Sequence, residues 1–326
     1  MWMHGHDLNV TIAQNYRDFA QEAAGRSPAY EALALAVAGD AGLLGYLQAL
    51  PPLKRQPNLL FAAARYLLGG PADLAALREL VDRRGAELAG LMRRRRTQTN
   101  EPARCATLLP ALAALPEPLA LIEVGASAGL TLLPDRYSYD YAGLRLAGAD
   151  PLAPVLRCQP RGPVPLPVRV PEVTWRGGLD LDPLDITDDD DVRWLSCLVW
   201  PGEGDRAVTL EAAVATARRD PPPVHRGDLL TDLPALAAQA PAGATLVIFH
   251  SAVLAYVEPD DRARFAATVR RLPATWLSNE GPRVLPDVKV PPFEGAPFVL
   301  VRDGRTPLAF ADGHGAWLEW LPPSRQ

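Results

Sequence analysis

The amino-acid sequence predicts an α/β protein in which an all-helical N-terminal domain precedes a mainly parallel β-sheet. Residues 1–116 carry helix caps and a helical spacing of apolar residues. Leu119–Val124 is an apolar run interrupted only by Glu123 and bounded by Pro118 and Gly125, which is typical of a buried parallel strand. Strand-like and helical segments then alternate, which indicates parallel pairing. We therefore predict two domains, residues 1–116 and residues 117–326.

Start and stop signals divide the N-terminal domain into helices. Ser27, Asp40, Asn58 and Asp73 each stand where an N-cap residue would open a helix. Gly85 interrupts the last helical segment, which ends in the arginine run at 93–96. We interpret this run as a solvated helix C-terminus, where positive charge is favourable, rather than as a nucleic-acid contact.

The sheet is predicted from short apolar segments that follow Leu119–Val124. Candidate strands are residues 173–175, 224–225, 245–250, 275–277, 298–301 and 316–320, and candidate helices are residues 189–199, 205–219 and 259–271. No helix separates the last two strands, so an antiparallel pair is an open alternative there. An insertion, rich in proline and glycine from residue 151 onward, spans about residues 137–172. The alternation of Tyr137, Tyr139 and Tyr141 favours a hairpin at its start.

Composition excludes several classes of function. The chain has 326 residues, with 33 basic against 38 acidic side chains and a net charge of −5, which disfavours a large nucleic-acid footprint. No signal peptide and no apolar run of about 18 residues is visible, so we expect a soluble cytoplasmic protein without a membrane partner. The three cysteines are far apart, odd in number and without a Cys-x-x-Cys pair, so no disulfide framework follows, and we expect them to be reduced, buried thiols. The histidines show no metal-ligand spacing. The sequence leaves the oligomeric state unknown.

The loop after the first strand carries the strongest chemical signal. Gly125 lets the chain turn sharply, the small residues Ala126 and Ser127 allow backbone to approach a ligand, and Gly129 permits tight packing. This predicts a Rossmann-like nucleotide-binding turn. The Gly-x-Ser-x-Gly spacing and the acid Glu123 favour S-adenosylmethionine over a pyrophosphate, which prefers G-x-G-x-x-G and no nearby acid. A turn that merely packs within the fold remains the alternative.

Several further stretches carry a resemblance to a known family. They are residues 56–60, 97–101, 123–129 with 132–137, 178–180 with 183–185, 193–195 with 200–201, 226–228, and 249–251 with Tyr256. Over nearly its whole length, the chain resembles a bacterial family of uncharacterised proteins, a domain of unknown function. That family is assigned to the class I S-adenosylmethionine-dependent methyltransferase-like superfamily. The resemblance implies a class I methyltransferase-like sheet and S-adenosylmethionine as cofactor.

The resemblance also implies where the cofactor would bind. Glu123, Gly125, Ala126, Ser127 and Gly129 would contact it at the first strand. The acid that binds the ribose falls at Asp150 by the usual spacing of about 20 residues. We prefer Asp180, with Asp182 second, because residues 173–175 read as the second strand; this choice requires the insertion at 137–172. Asp228, followed by Leu229, matches the acid that accepts a hydrogen bond from the adenine amino group.

Candidate catalytic and substrate residues follow the later strands. His250 ends the predicted fourth strand, and its ordinary pKa range suits a general base that could also contact the cofactor. Many enzymes that methylate nitrogen have an Asn/Asp-Pro-Pro-aromatic motif there, and its absence counts against an amino-methylating nucleic-acid enzyme. Candidate substrate contacts are Asn100, Arg104, Tyr256 and Glu280.

These observations predict an S-adenosylmethionine-dependent methyltransferase that acts on a small molecule, with the helical domain as a lid. The alternative is a non-catalytic S-adenosylmethionine- or nucleotide-binding protein of the same fold with a regulatory role. A nicotinamide-dependent oxidoreductase is disfavoured by the loop spacing.

Overall fold

A computed structural model describes residues 11–98 and 100–322 of the chain. Thr99, and His4 and His6 among the histidines, lie outside the described residues. The N-terminal region is helical, as predicted. Its helices are α1 (Ile12–Ala23), α2 (Pro28–Ala38), α3 (Ala41–Gln48), α4 (Pro57–Leu68), α5 (Leu74–Arg94) and α6 (Arg104–Ala113).

Three of the four predicted helix caps are confirmed. The side chains of Ser27, Asp40 and Asp73 each accept a hydrogen bond from a backbone N–H in the first turn of their helix. Asn58 is not a cap, because Pro57 already opens α4. Its Oδ1 instead accepts a hydrogen bond from the Trp200 indole at 2.9 Å. The predicted interruption near Gly85 is confirmed as a kink in α5, where Arg84 has a non-helical φ of −133°.

The second part of the chain forms a nine-stranded sheet. Its strands and helices are β1 (Leu119–Val124), β2 (Ser138–Tyr141), β3 (Leu144–Leu146), β4 (Val155–Arg157), β5 (Gln159–Arg161), β6 (Val173–Asp180), α7 (Asp189–Leu198), α8 (Gly204–Arg219), β7 (Val224–Arg226), α9 (Leu233–Ala237), β8 (Thr245–Ser251), α10 (Pro259–Val269), β9 (Thr275–Glu280), β10 (Phe298–Arg302), β11 (Thr306–Ala311) and β12 (Trp317–Trp320). The strand order is β5-β12-β11-β10-β9-β8-β1-β6-β7. The predicted α/β class and the mainly parallel sheet are confirmed.

Five neighbouring strands, β7, β6, β1, β8 and β9, run parallel. Every residue of the central strand β1 is buried, as its apolar run predicts. Glu123 pairs with Gly178 on one side and Phe249 on the other. The carboxyl ends of these strands therefore meet at one edge of the sheet, and most of the candidate site residues lie at or just beyond that edge.

The antiparallel end of the sheet differs from the prediction. The segments at 298–301 and 316–320 do not pair with each other, because β11 lies between β10 and β12 and pairs with both. We missed β11 because Pro307 lies within it, and proline weakens a strand pattern. The register shift between Leu300 and Val301 falls opposite this region and accommodates the proline.

The insertion contains more structure than its composition indicates. The predicted hairpin is confirmed, since β2 and β3 pair antiparallel, and β4 adds to it as a third strand. The insertion also contributes to the large sheet. Its strand β5 pairs with β12 and so extends the edge of the large sheet.

Contacts group the described residues into two compact units. One consists of residues 11–98 with 188–208, and the other of residues 100–187 with 209–322. The first unit has an aromatic core of Tyr16, Phe19, Tyr30, Phe61 and Trp200. The second unit contains the whole sheet.

Cys105, Cys158 and Cys197 are buried and free, which confirms the expected reduced thiols. Within the part of the chain that the structure describes, no helix combines the length and apolar character needed to cross a bilayer.

Candidate functional site

Four of the predicted site residues lie at the carboxyl ends of adjacent strands in the sheet-containing unit. Glu123 is at the end of β1, Asp180 ends β6, His250 is near the end of β8, and Glu280 ends β9. Ligands of open α/β sheets bind at this edge, where the strand order reverses. In this sheet the reversal lies between β1 and β8.

Glu123 is a buried carboxyl group with one unpartnered oxygen. Glu123 is only 3% exposed. The Thr131 hydroxyl donates a hydrogen bond to Oε1, and Oε2 has no hydrogen-bond partner. Burial raises the pKa of Glu123 to about 8, although the Thr131 hydrogen bond and the positive charge of Arg104 oppose the shift. The group therefore holds a proton at neutral pH and becomes ionised readily if a cation approaches.

The two outer glycines of the loop are required by packing within the chain. Gly125 has a φ of +72°, and a Cβ atom there would come within 2.3 Å of Val253 Cγ2. Gly129 has a φ of +73°, and a Cβ atom there would lie 2.8 Å from Pro222 Cγ. Both positions thus demand glycine for backbone conformation and for space. The neighbours are the chain's own side chains, so these glycines carry no evidence of a ligand by themselves.

The backbone amides of the loop are largely used inside the fold. The N–H of Gly125 donates to Leu179 O at 2.7 Å and that of Ser127 to Asp180 Oδ2 at 2.8 Å. Asn100 holds the loop from the other side: its Nδ2 donates to Ala126 O at 3.2 Å, and its Oδ1 accepts from the N–H of Leu130 at 2.8 Å. A pyrophosphate needs free amides, so this arrangement does not favour a dinucleotide.

The candidate ribose-binding acids differ in position. Asp180 ends the strand next to β1, and its two carboxylate oxygens accept the backbone N–H groups of Ser127 and Asp182, each at 2.8 Å. Asp182 pairs with Arg226 at 2.8 Å. Asp150 lies in the insertion and pairs with Arg219. The placement agrees with the preference for Asp180, while its role as a ribose ligand stays a prediction.

Three other predicted site residues, Asp228, Leu229 and Tyr256, lie in turns that follow strands. Asp228 is half-buried and uses Oδ1 to accept the backbone N–H of Leu230 at 2.7 Å, as a turn-forming aspartate does. Leu229 beside it is half-buried. Tyr256 is 55% exposed in a short 3₁₀ turn after β8. Their proposed contacts with cofactor or substrate stay predictions.

His250 is enclosed, and both of its ring nitrogens have partners. The residue is 0% exposed, Nδ1 lies 2.7 Å from Glu280 Oε1, and the indole N–H of Trp276 donates to Nε2 at 3.0 Å. Because an indole only donates, Nε2 must carry the lone pair and Nδ1 the proton. The ring is neutral and leaves no free nitrogen for a substrate. A role as general base stays a prediction that this geometry does not favour.

Glu280 is held through one of its two oxygens. Oε1 accepts three hydrogen bonds, from His250 and from the backbone N–H groups of Val253 at 2.8 Å and Leu254 at 3.0 Å. Oε2 has no partner, although the residue is only 2% exposed. Three donors on one oxygen fix the carboxylate and stabilise its negative charge.

Sequence reasoning missed the two polar residues that precede Glu280 on β9. Asn279 donates Nδ2 to Ser251 Oγ at 2.9 Å, while its Oδ1 has no partner. Ser278 is fully buried, and its Oγ has no partner. The available signal was three consecutive polar residues, 278–280, closing a strand that is otherwise buried.

Arg104 is a buried cation at the start of α6. Its residue is 4% exposed, Nε donates to Gly313 O at 2.9 Å, and Nη1 donates to Ser251 O at 3.0 Å. Arg104 therefore links α6 to the end of β8, and its positive charge acts on Glu123. Its predicted contact with a substrate stays a prediction, as does that of Asn100.

Across residues 11–98 and 100–322, no three His, Cys, Asp or Glu side chains are grouped so that they could hold a metal ion.

Comparison with curated proteins and with solved structures found no match. A family model described as "Uncharacterized protein conserved in bacteria (DUF2332)" matches residues 13–320, which is nearly the whole chain. The chain belongs to this bacterial family.

Proposed function

We propose that the protein is an S-adenosylmethionine-dependent methyltransferase that acts on a small molecule, and that its parallel strands form a Rossmann-like, class I methyltransferase-like sheet. The strand order supports this proposal. Numbered along the chain, the five parallel strands lie in the order third, second, first, fourth, fifth. That order reverses beside β1, where the crevice of a doubly wound sheet accepts its ligand.

The observation that carries the proposal is the buried carboxyl of Glu123 immediately before the glycine loop. Its unpartnered Oε2 and its raised pKa are costly features unless a positively charged donor completes the site. The ammonium group of S-adenosylmethionine is such a donor. A pyrophosphate would instead place negative charge beside an acid.

The other residues have supporting roles in this proposal. Asp180 fixes the loop, and its carboxylate oxygens have further lone pairs that could accept ribose hydroxyls. Asp228 would accept a hydrogen bond from the adenine amino group. When bound, S-adenosylmethionine supplies the methyl group, and methyl transfer needs chiefly in-line positioning of the acceptor. The absence of a free nitrogen on His250 is compatible with an acceptor that requires no proton removal by that ring.

A second candidate is a non-catalytic protein that binds the same cofactor and has a regulatory role. The geometry of His250 favours it, because the predicted base is enclosed between Trp276 and Glu280. The two candidates share the binding site and differ only in turnover.

Isothermal titration calorimetry on the full chain tests the shared part of both candidates. We expect S-adenosylmethionine and S-adenosylhomocysteine to bind with one site per chain, and NAD not to bind. Binding of NAD alone, or of none of the three, would refute the proposal. Formation of S-adenosylhomocysteine with a pool of small-molecule acceptors then separates the enzyme from the non-catalytic protein.

A further inference from the structure

A small cavity lies beside the site, between strands β9 and β10 and the segment 281–297. Most of its lining residues are apolar and include Leu285, Val288, Val299 and Val301, while Ser278 and Glu280 are its polar lining residues. Its enclosed volume is about 10 Å³, and it opens to solvent on one side. The enclosed part therefore admits a group about the size of one water molecule.

Both polar side chains of the cavity carry a buried atom without a hydrogen-bond partner. These atoms are Ser278 Oγ and Glu280 Oε2, on residues that are 0% and 2% exposed. A buried acceptor that stays unpaired costs about 1–3 kcal/mol, and more if it is charged. Because both atoms belong to residues that line the same cavity, they favour a hydrogen-bond donor as its occupant.

The negative charge of Glu280 favours a positively charged hydrogen-bond donor. His250 is neutral in this arrangement, because Trp276 donates to its Nε2, so the ring contributes no positive charge to the carboxylate. The other oxygen of Glu280, Oε2, has no partner, and most of the other residues that line the cavity are valine and leucine. A charged end and apolar walls complement a molecule with a cationic head and an aliphatic body.

The segment that covers the cavity supports a binding role. Residues 281–297 contain no helix or strand, and a connection of this length without regular structure is commonly functional in compact domains. Val288 from this segment packs with Val299 and Val301 of β10 in a buried apolar cluster. The segment thus forms one wall of the cavity.

We infer that this cavity binds the ammonium group of a small aliphatic amine. Glu280 Oε2 and Ser278 Oγ accept its N–H groups, and the alkyl chain packs on Leu285, Val288, Val299 and Val301 towards the open mouth. His250 acts as a positioning residue, because it holds Glu280 through Oε1. The inference goes beyond the proposed function, because this binding requires no cofactor.

The test uses n-propylammonium chloride with the full chain and no cofactor, followed by NMR of valine and leucine methyl groups. We expect saturable shifts of the Val299 and Val301 methyl signals in the millimolar range, since a ligand of four heavy atoms has little affinity to gain. Sodium chloride at equal ionic strength and the neutral 1-propanol are the ligand controls. They are expected to give no saturable shift.

Single substitutions test whether propylammonium binding depends on the charge of Glu280. Glu280→Gln keeps an oxygen for the three donors and should weaken propylammonium binding at least tenfold, and Ser278→Ala several-fold. Glu319→Gln, an exposed carboxylate on β12, should bind like the wild type. Absence of saturable shifts in the wild type, equal binding by 1-propanol, or unchanged binding by Glu280→Gln would overturn the inference.

This outcome is separable from that of the proposed function. Propylammonium binding without S-adenosylhomocysteine binding would refute the methyltransferase and leave the amine site standing. S-adenosylhomocysteine binding without propylammonium binding would refute the amine site alone.

Discussion

The carboxyl group of Glu123 links the stability of the protein to pH. Its pKa is about 8 in the folded chain and is expected near the ordinary 4.5 when the chain unfolds. Below pH 4.5 both states hold the proton, so the group has no effect. Between pH 4.5 and 8 the unfolded state ionises while the folded state does not, which favours unfolding increasingly. The loss of stability reaches at most about 5 kcal/mol above pH 8.

Replacing Glu123 should remove this dependence. We expect Glu123→Gln to gain stability relative to the wild type as the pH rises from 5 to 8, because glutamine does not ionise in the unfolded state. Urea unfolding at both pH values measures the difference in free energy. The exposed Glu319→Gln variant should follow the wild type at both. A difference between Glu123→Gln and wild type that stays constant with pH would contradict the raised pKa.

The hydrogen bonds of His250 predict an uncommon tautomer. With Trp276 donating to Nε2, the proton must be on Nδ1. In ¹⁵N NMR of histidine side chains at pH 7, we expect His250 to show a protonated Nδ1 and an unprotonated Nε2. A protonated Nε2 would contradict this tautomer and restore His250 as a candidate base.

The positions of single site residues were partly predictable from the sequence. Glu123, Asp180, His250 and Glu280 could be placed together because parallel strands end at a common edge. Their partners could not be predicted. The bond between Trp276 and His250 joins adjacent strands and depends on the register in which β8 and β9 pair, which the sequence does not specify.

At the scale of elements, β1 and β6 show why some strands were easier to predict than others. The apolar run of β1 is buried throughout and was predicted to its ends. Only the first three residues of β6 were predicted, because Arg176, Gly177 and Gly178 do not read as strand. The structure shows why two of these residues occur in the strand. Arg176 pairs with Asp135 at 2.9 Å, and Gly178 leaves room for the loop, since a Cβ atom there would lie 2.8 Å from Ala126 Cβ.

The contact between β6 and the glycine loop is testable by adding one methyl group. We expect Gly178→Ala to lower the free energy of unfolding by about 1–3 kcal/mol, because the added Cβ overlaps Ala126 and Val224. Gly243→Ala is the matched control, since a Cβ atom there meets nothing within 4 Å. Its effect should stay within about 0.5 kcal/mol. Equal unfolding midpoints in urea for both variants would contradict the close approach of strand and loop.

At the scale of the whole molecule, the compact units are not continuous in sequence. Residues 188–208 group with the N-terminal helices, where Trp194 donates to Arg96 O at 3.0 Å and Trp200 donates to Asn58. Such contacts join residues about one hundred positions or more apart and depend on tertiary packing, which local patterns do not encode. The domain boundaries derived from the sequence stay a prediction.

The central claim is that Glu123 receives the cationic end of S-adenosylmethionine, and calorimetric titration with S-adenosylhomocysteine tests it most directly. Loss of a charged hydrogen bond costs about 1.5–3 kcal/mol. We therefore predict that Glu123→Gln binds S-adenosylhomocysteine about 10- to 100-fold more weakly than the wild type, while Glu319→Gln binds it equally well. Equal affinity of Glu123→Gln and the wild type, or no binding by the wild type, would contradict the account.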